Sequence, residues 1–305
     1  MSKKILFFGN ERLATGVHSG VPTLQALLTA GYDVAAIVVA QAETAKSRQA
    51  RQLEVSVIAG QYDIPLLAPA DLVEAGNQLS TFGAEAAVLI AYGKIVPAAV
   101  LDMFPRGIIN VHPSLLPLHR GPTPIENAIL QADKQTGVSL MRLVPQMDAG
   151  PVYARQSLPL DGTETKQGLA DHLSAIGVDM VLEHLPNVLD GSARPQPQDE
   201  TAATYDHLIA KTDGRLNWTK PAARLEREIR AYAGWPRSRA KLGSTDVIIT
   251  GCHVENGHGQ PGSPLLGSDH LAICCGQDVL AIDSLIPAGK KEMSGKAFLA
   301  GYKIN

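Results

Sequence analysis

Gly107-Ile-Ile-Asn-Val-His-Pro-Ser-Leu-Leu-Pro-Leu-His-Arg-Gly121 couples an apolar strand to a loop stiffened by proline. Residues 108–111 are apolar apart from Asn110, and a short run of this kind suits a strand buried on both faces of a parallel sheet. Side chains alternate along a strand, so Asn110 and His112 share one face. The exit, residues 113–124, holds four prolines and Gly121, which predicts a rigid, shaped loop. Similar runs recur at residues 5–8, 34–39, 86–90 and 138–144. Helical stretches at 22–30, 51–62, 70–79 and 124–132 fall between them. Strand alternating with helix predicts an α/β domain with a doubly wound, mostly parallel sheet. Such sheets bind ligands beyond the C-terminal ends of their strands, which is where Asn110 and His112 stand.

Farther along, residues 167–189 carry Leu169, Leu173, Ile176, Met180 and Leu185 near helical spacing and stop at Asp190-Gly191. Residues 191–205 contain two prolines and many small or polar side chains without apolar periodicity, the composition of a linker. A helix around Leu225, Ile229 and Tyr232 follows. From Val247 onward short strands alternate with Gly/Pro turns, which predicts a small β-barrel, OB-like. The expected organisation is a catalytic domain over 1–190, a linker over 191–205 and a β-barrel domain over 206–305.

Composition narrows the functional classes. The chain has 305 residues, 45% of them hydrophobic, which fits about two globular domains. It contains no apolar run of about 18 residues to span a bilayer. The apolar stretch after Lys3 and Lys4 is too short for a secretory signal, and three cysteines without a CxxC pair argue against disulfides or structural zinc. A cytoplasmic location is expected. Charge is uneven: residues 1–205 hold 14 Lys and Arg against 20 Asp and Glu, whereas 206–305 hold 13 against 10. Within 215–241 there are eight cations and two carboxylates. Such a patch suits a polyanion, although a solvated helix face looks the same in sequence.

The first strand–helix turn, Gly9-Asn-Glu-Arg12, lacks both G-x-G-x-x-G and a P-loop lysine, and no H-E-x-x-H or G-x-S-x-G is present. Candidate chemistry therefore centres on Asn110 and His112; a third polar residue, Asp148 in Gln146-Met-Asp-Ala-Gly-Pro151, reads on its own as a turn residue rather than an acid. Together, Asn110-x-His112, Ser114-Leu-Leu-Pro117, Gly121 and Asp148-x-Gly150 resemble the folate-dependent formyltransferases. The resemblance implies that Asn110, His112 and Asp148 act together in formyl transfer from 10-formyltetrahydrofolate as co-substrate, with no metal. It implies a folate pocket built from Leu89, Ile90, Ala91 and Tyr92 and from Ser114, Leu115, Leu116 and Pro117.

Leu216-Asn-Trp-Thr-Lys220, Ile229-Arg-Ala-Tyr-Ala-Gly-Trp-Pro236 and Pro287-Ala-Gly-Lys-Lys-Glu-Met-Ser-Gly295 resemble the C-terminal part of family members that formylate methionyl-tRNA. The implied partner is initiator methionyl-tRNA, with no membrane and no obligatory protein partner. Lys46, Arg48 and Arg51 stand where those members carry a basic loop, here diluted by Glu43 and Glu54. Arg237 and Arg239 are the candidate phosphate contacts of the C-terminal domain. Sugar-nucleotide N-formyltransferases share the Asn/His/Asp core and stay open as an alternative, as does an RNA-binding module with an inactive α/β domain.

Overall fold

Ile5, Leu6, Phe7 and Phe8 have no exposed surface, and they run through the middle of a seven-stranded sheet as β1 (Lys4–Gly9). The structure is a computed structural model that describes residues 4–40, 53–265 and 268–304. The chain divides into two units. Unit 1 takes the described residues up to Ile125, with Gln135–Leu160 and Gly168–His207. Unit 2 takes Glu126–Lys134, Asp161–Gln167 and the described residues from Leu208 onward.

In unit 1, β2 (Asp33–Val38), β3 (Leu66–Leu67), β4 (Ala86–Ile90) and β5 (Gly107–His112) join β1 in parallel. β6 (Gln135–Arg142) and β7 (Val152–Pro159) extend the sheet antiparallel, giving the order β3-β2-β1-β4-β5-β6-β7. The doubly wound, mostly parallel sheet expected from the sequence is present. β7 escaped the sequence reading because it alternates poorly and is largely exposed at the edge. The strand expected at 138–144 starts earlier, at Gln135, and pairs antiparallel.

Between the strands lie α1 (Pro22–Thr29), α2 (Glu54–Gln61), α3 (Gly76–Thr81), α4 (Ala98–Leu101) and α5 (Pro124–Gln131). The 70–79 prediction is corrected: its first half is turn and the helix begins only at Gly76. The 25-residue α6 (Lys166–Asp190) follows β7. Strand order reverses between β1 and β4, the switch point at which open α/β sheets leave a crevice. There Gly9 has φ +112°, and a Cβ on it would meet the Ile90 carbonyl oxygen at 1.8 Å, so only glycine permits this approach.

The turn after β1 carries an unusual cap. α1 has Val21 at its N-cap with φ 50° and no side-chain cap of its own. Glu11 supplies one instead, accepting from the backbone N–H groups of Thr23 (2.9 Å) and Leu24 (2.7 Å). Burial pushes the Glu11 carboxyl up to about 7, against the pull of those two amides. Its folded value lies above the ordinary 4.5, so the folded state favours the neutral acid. Stability from this group is therefore full below pH 4.5 and is lost as pH rises to 7, by about 3 kcal/mol. Glu11→Gln should remove that slope, so its stability relative to the parent should improve between pH 5 and pH 8. Urea melts of both proteins at the two pH values check this.

Unit 2 contains α7 (Ala222–Ala231), β8 (Ser238–Leu242), β9 (Thr245–Glu255), β10 (Ala272–Cys274), β11 (Val279–Pro287), β12 (Met293–Ser294) and α8 (Gly295–Gly301). The strands form one antiparallel sheet in the order β10-β11-β9-β8, with β12 on β11. Leu225 and Ile229 of α7, Phe298 of α8 and Leu280, Ile282 and Leu285 of β11 share its core. α8 lies where the sequence reading expected strands only. Lys166, 1% exposed, lies 3.6 Å from the Glu126 carboxylate and donates to the Trp235 carbonyl at 2.8 Å.

Residues 191–205, expected as a linker, are fastened to unit 1. Gln196 exchanges backbone hydrogen bonds with Val152 at 2.8 Å, and Thr204 donates to the Pro117 carbonyl. Their sequence lacks apolar periodicity because polar groups, not packing, hold them.

Candidate active site

β5 brings Asn110 and His112 to its C-terminal end, where they are 6% and 5% exposed. Asn110 lies beside Leu89 of β4 and Met141 of β6, and His112 beside Ser139 of β6. Among the described residues no hydrogen bond engages the Asn110 amide, which leaves its N–H groups for a ligand. The His112 Nε2 lies 2.9 Å from the backbone carbonyl of His119. A carbonyl only accepts, so Nε2 carries a hydrogen. The other ring nitrogen, Nδ1, faces the Asp148 Oδ2 at 3.8 Å. That gap exceeds a hydrogen bond.

Asp148 sits on the turn between β6 and β7 with φ 48°. Its Oδ2 accepts from the Gly121 N–H at 2.8 Å, which ties the turn to the loop leaving β5. Gly150 closes the same turn; a Cβ there would lie 1.8 Å from the Arg142 carbonyl oxygen. Sequence spacing placed Asn110 and His112 on one face, and the structure adds Asp148 to them.

The expected folate residues lie on two neighbouring segments. Leu89 and Ile90 end β4, and Ala91 turns the chain with φ 50°. Tyr92 is 3% exposed and packs edge-on against Phe8, with centroids 5.6 Å apart. In the loop after β5, Ser114 Oγ donates to the Leu118 carbonyl, and Leu116 N donates to Ser139 Oγ. Leu115 is half-buried and Leu116 is buried, and the Leu116–Pro117 peptide is cis. The Arg155 side chain holds the Leu116 carbonyl at 2.6 Å.

Four residues that hold this loop were missed in sequence. Arg120 has no exposed surface; its guanidinium donates to Gln198 Oε1, both Glu200 oxygens and the Tyr205 hydroxyl. Gln198 Nε2 donates to the carbonyls of Asp148 and Gly150 at 2.7 Å each. His119 Nδ1 lies 3.1 Å from Asp206 Oδ2. These partners are 48 to 87 residues apart in sequence, so no local motif announces them.

In unit 2 the cations sort into two groups. Lys220 and Arg224 pair with buried Glu228, Arg227 donates to the Leu130 carbonyl, and Arg230 pairs with Glu226. Among the described residues the side chains of Arg215, Arg237, Arg239 and Lys241 make no hydrogen bond or ion pair, their backbones being paired in turns and in β8. Arg215 lies opposite Arg239 in a bridge, and Arg239 and Lys241 share one face of β8. Lys46, Arg48 and Arg51 lie outside the described residues.

The Formyl transferase family model matches residues 4–185, and the Formyl transferase C-terminal domain model matches 208–303. The methionyl-tRNA formyltransferase of Chloroflexus aurantiacus is 37% identical over 98% of this chain and 96% of its own length. That of Methylococcus capsulatus is 34% identical over 99% and 97%. Among solved structures, an N-formyltransferase from Helicobacter canadensis bound to folinic acid and dTDP-3-aminofucose shares the fold. Its TM-score is 0.67, at 17% identity, over 92% of this chain and 99% of that one.

Proposed function

The chain belongs to the formyl transferase family, and on that premise we propose that it transfers a formyl group from 10-formyltetrahydrofolate to the α-amino group of methionyl-tRNA. One observation carries the chemistry: the Asp148 carboxylate faces His112 Nδ1 at 3.8 Å beside Asn110. The amine attacks the formyl carbon, its C–N bond forms, and the carbonyl oxygen becomes an oxyanion. Asn110, through its amide N–H, and His112, as the imidazolium with its second proton on Nδ1, donate to that oxygen; one such donor is typically worth about 3–4 kcal/mol. His112 Nε2 takes no part, being held by the His119 carbonyl. Asp148 accepts the amine's proton, directly or through water, as the C–N bond to the folate breaks and N10 is protonated. The folate lies against residues 89–92 and 114–117. The sequence there supplies backbone groups turned by positive φ at Ala91 and apolar walls at Leu89 and Leu116.

The substrate is the initiator methionyl-tRNA, and the reaction belongs to the cytoplasm without an obligatory protein partner. Among the described residues no helix is long and apolar enough to cross a membrane. Assay of formyl transfer to charged initiator tRNA, with a dTDP-amino sugar as the competing acceptor, decides between the tRNA reading and the sugar-nucleotide reading. Formylation of the sugar alone would overturn the former.

Phosphates of the tRNA meet the cations that no carboxylate neutralises, Arg237 and Arg239 first. Each neutralised phosphate lowers the logarithm of affinity by about 0.7–0.9 per unit log of salt. Replacing both arginines by alanine should weaken tRNA binding and flatten that slope by about one to two. Calorimetry should show folate binding unchanged. The same double change at Arg224 and Arg230 should instead reduce stability, because those two side chains are already paired.

A further inference from the structure

His119 and Asp206 form a second imidazole–carboxylate pair next to His112, and we propose that this pair positions His112 for formyl transfer. The proposal rests on the functional reading above. His119 reaches His112 with its backbone rather than its side chain: its carbonyl receives the Nε2 hydrogen at 2.9 Å. That carbonyl belongs to a residue at φ 57°, a conformation that a non-glycine residue keeps only when its surroundings fix it.

Three contacts from the segment 204–206 fix it. The Thr204 hydroxyl accepts from the His119 N–H at 2.8 Å. The Asp206 carboxylate takes the His119 Nδ1 at 3.1 and 3.2 Å. The backbones of Arg120 and Asp206 are joined at 2.7 Å, and a Cβ on Gly121 would meet the Asp206 carbonyl oxygen at 2.5 Å. The carboxylate of Asp206 is 9% exposed and the imidazole of His119 14%, so the pair is screened from water. The other charged groups on the elements packed here are engaged elsewhere: Arg120 with Glu200, Arg155 with the Leu116 carbonyl, and Asp148 with Gly121.

Asp206 and His119 are thus positioning residues. They hold the acceptor that keeps the hydrogen of His112 on Nε2, which leaves Nδ1 facing Asp148. Without the anchor, the carbonyl is released and both tautomers of His112 become populated. The ring, no longer tied at Nε2, would then be free to turn Nδ1 away from the Asp148 side of the site.

The test uses the full chain with 15N-labelled histidine, the His112 signals being assigned from His112→Gln. In the parent, neutral His112 should be Nε2-protonated. In His119→Ala and Asp206→Ala its tautomers should mix. In both, kcat should fall about ten- to hundredfold, with KM for both substrates within twofold. Because the two act as one unit, the double variant should lose no more than either single one. Asp206→Asn keeps an oxygen acceptor for His119 and should recover most of the rate; its shape also secures a folded variant if the alanine forms fail. An unchanged His112 pattern in these variants overturns the proposal, and so does a changed pattern with kcat within twofold of the parent. If the parent itself forms no formyl product, the functional reading fails, while the nitrogen signals still decide whether His119 and Asp206 set the His112 tautomer.

Discussion

Replacing Asp148 by asparagine is expected to lower kcat by about two to four orders of magnitude while leaving the fold and folate binding in place. Asparagine matches the shape of the carboxylate, and its oxygen can still accept from the Gly121 N–H, so the turn between β6 and β7 keeps its tie. What disappears is the negative charge and the proton acceptor opposite His112 Nδ1. An amide nitrogen turned toward that ring would also compete as a donor. Asn110→Ala removes one donor to the oxyanion and should cost about 10²–10³ in kcat. The losses should not add: His112→Gln combined with Asp148→Asn should be little worse than the more damaging single change, because each residue depends on the others. Single-turnover measurements with saturating folate and charged tRNA read the chemical step directly. Turnover of Asp148→Asn within threefold of the parent would remove Asp148 from the mechanism.

Arg120→Ala should cost about 3–5 kcal/mol of stability and most of the activity. The loss does not come chiefly from Glu200, whose carboxylate is 64% exposed and returns to water easily. It comes from the void left by a fully buried side chain and from Gln198, whose Oε1 loses both guanidinium donors. Gln198 also grips the carbonyls of Asp148 and Gly150, so freeing it loosens the catalytic turn. Arg120→Lys keeps the charge but cannot reach Gln198, Glu200 and Tyr205 together from one compact ammonium, and it should recover only part of the loss. Urea unfolding of the two variants measures the stabilities. If Arg120→Ala melts like the parent, the network around Gln198 is dispensable.

The sheet and the centre of the site were legible because both follow from period-2 alternation and from local spacing. Asn110 and His112 share a face for that reason, and the buried strands announced themselves as apolar runs. Asp148 could be placed only through a motif, since nothing in Gln-Met-Asp-Ala-Gly itself distinguishes an acid from a turn residue. The contacts that hold the site escaped for a different reason. Arg120 meets Gln198 and His119 meets Asp206 across 78 and 87 residues, through side chains that in isolation look like ordinary solvent-facing residues. Residues 191–205 look like a linker because they offer nothing to a hydrophobic core, and they are held by hydrogen bonds that composition does not encode. Edge strand β7 was invisible for a similar reason: exposed or half-buried along most of its length, it has little apolar alternation to show. Arg230 pairs with Glu226 at a helical spacing visible in sequence, whereas Arg227 meets the Leu130 carbonyl, which no spacing announces.

Residues 126–134 and 161–167 belong to a unit whose remaining part begins at Leu208, and a ribosome must deliver the chain in order. At ordinary rates of translation the last strands emerge on the order of ten seconds after these two segments. Throughout that wait the Leu130 carbonyl lacks Arg224 and Arg227, and Lys166 lacks the Trp235 carbonyl. The second unit is therefore completed from both sides of the chain, its early segments waiting for its late ones. A chain stopped before Trp235 would leave the Lys166 ammonium, 1% exposed in the finished protein, without the carbonyl that receives it.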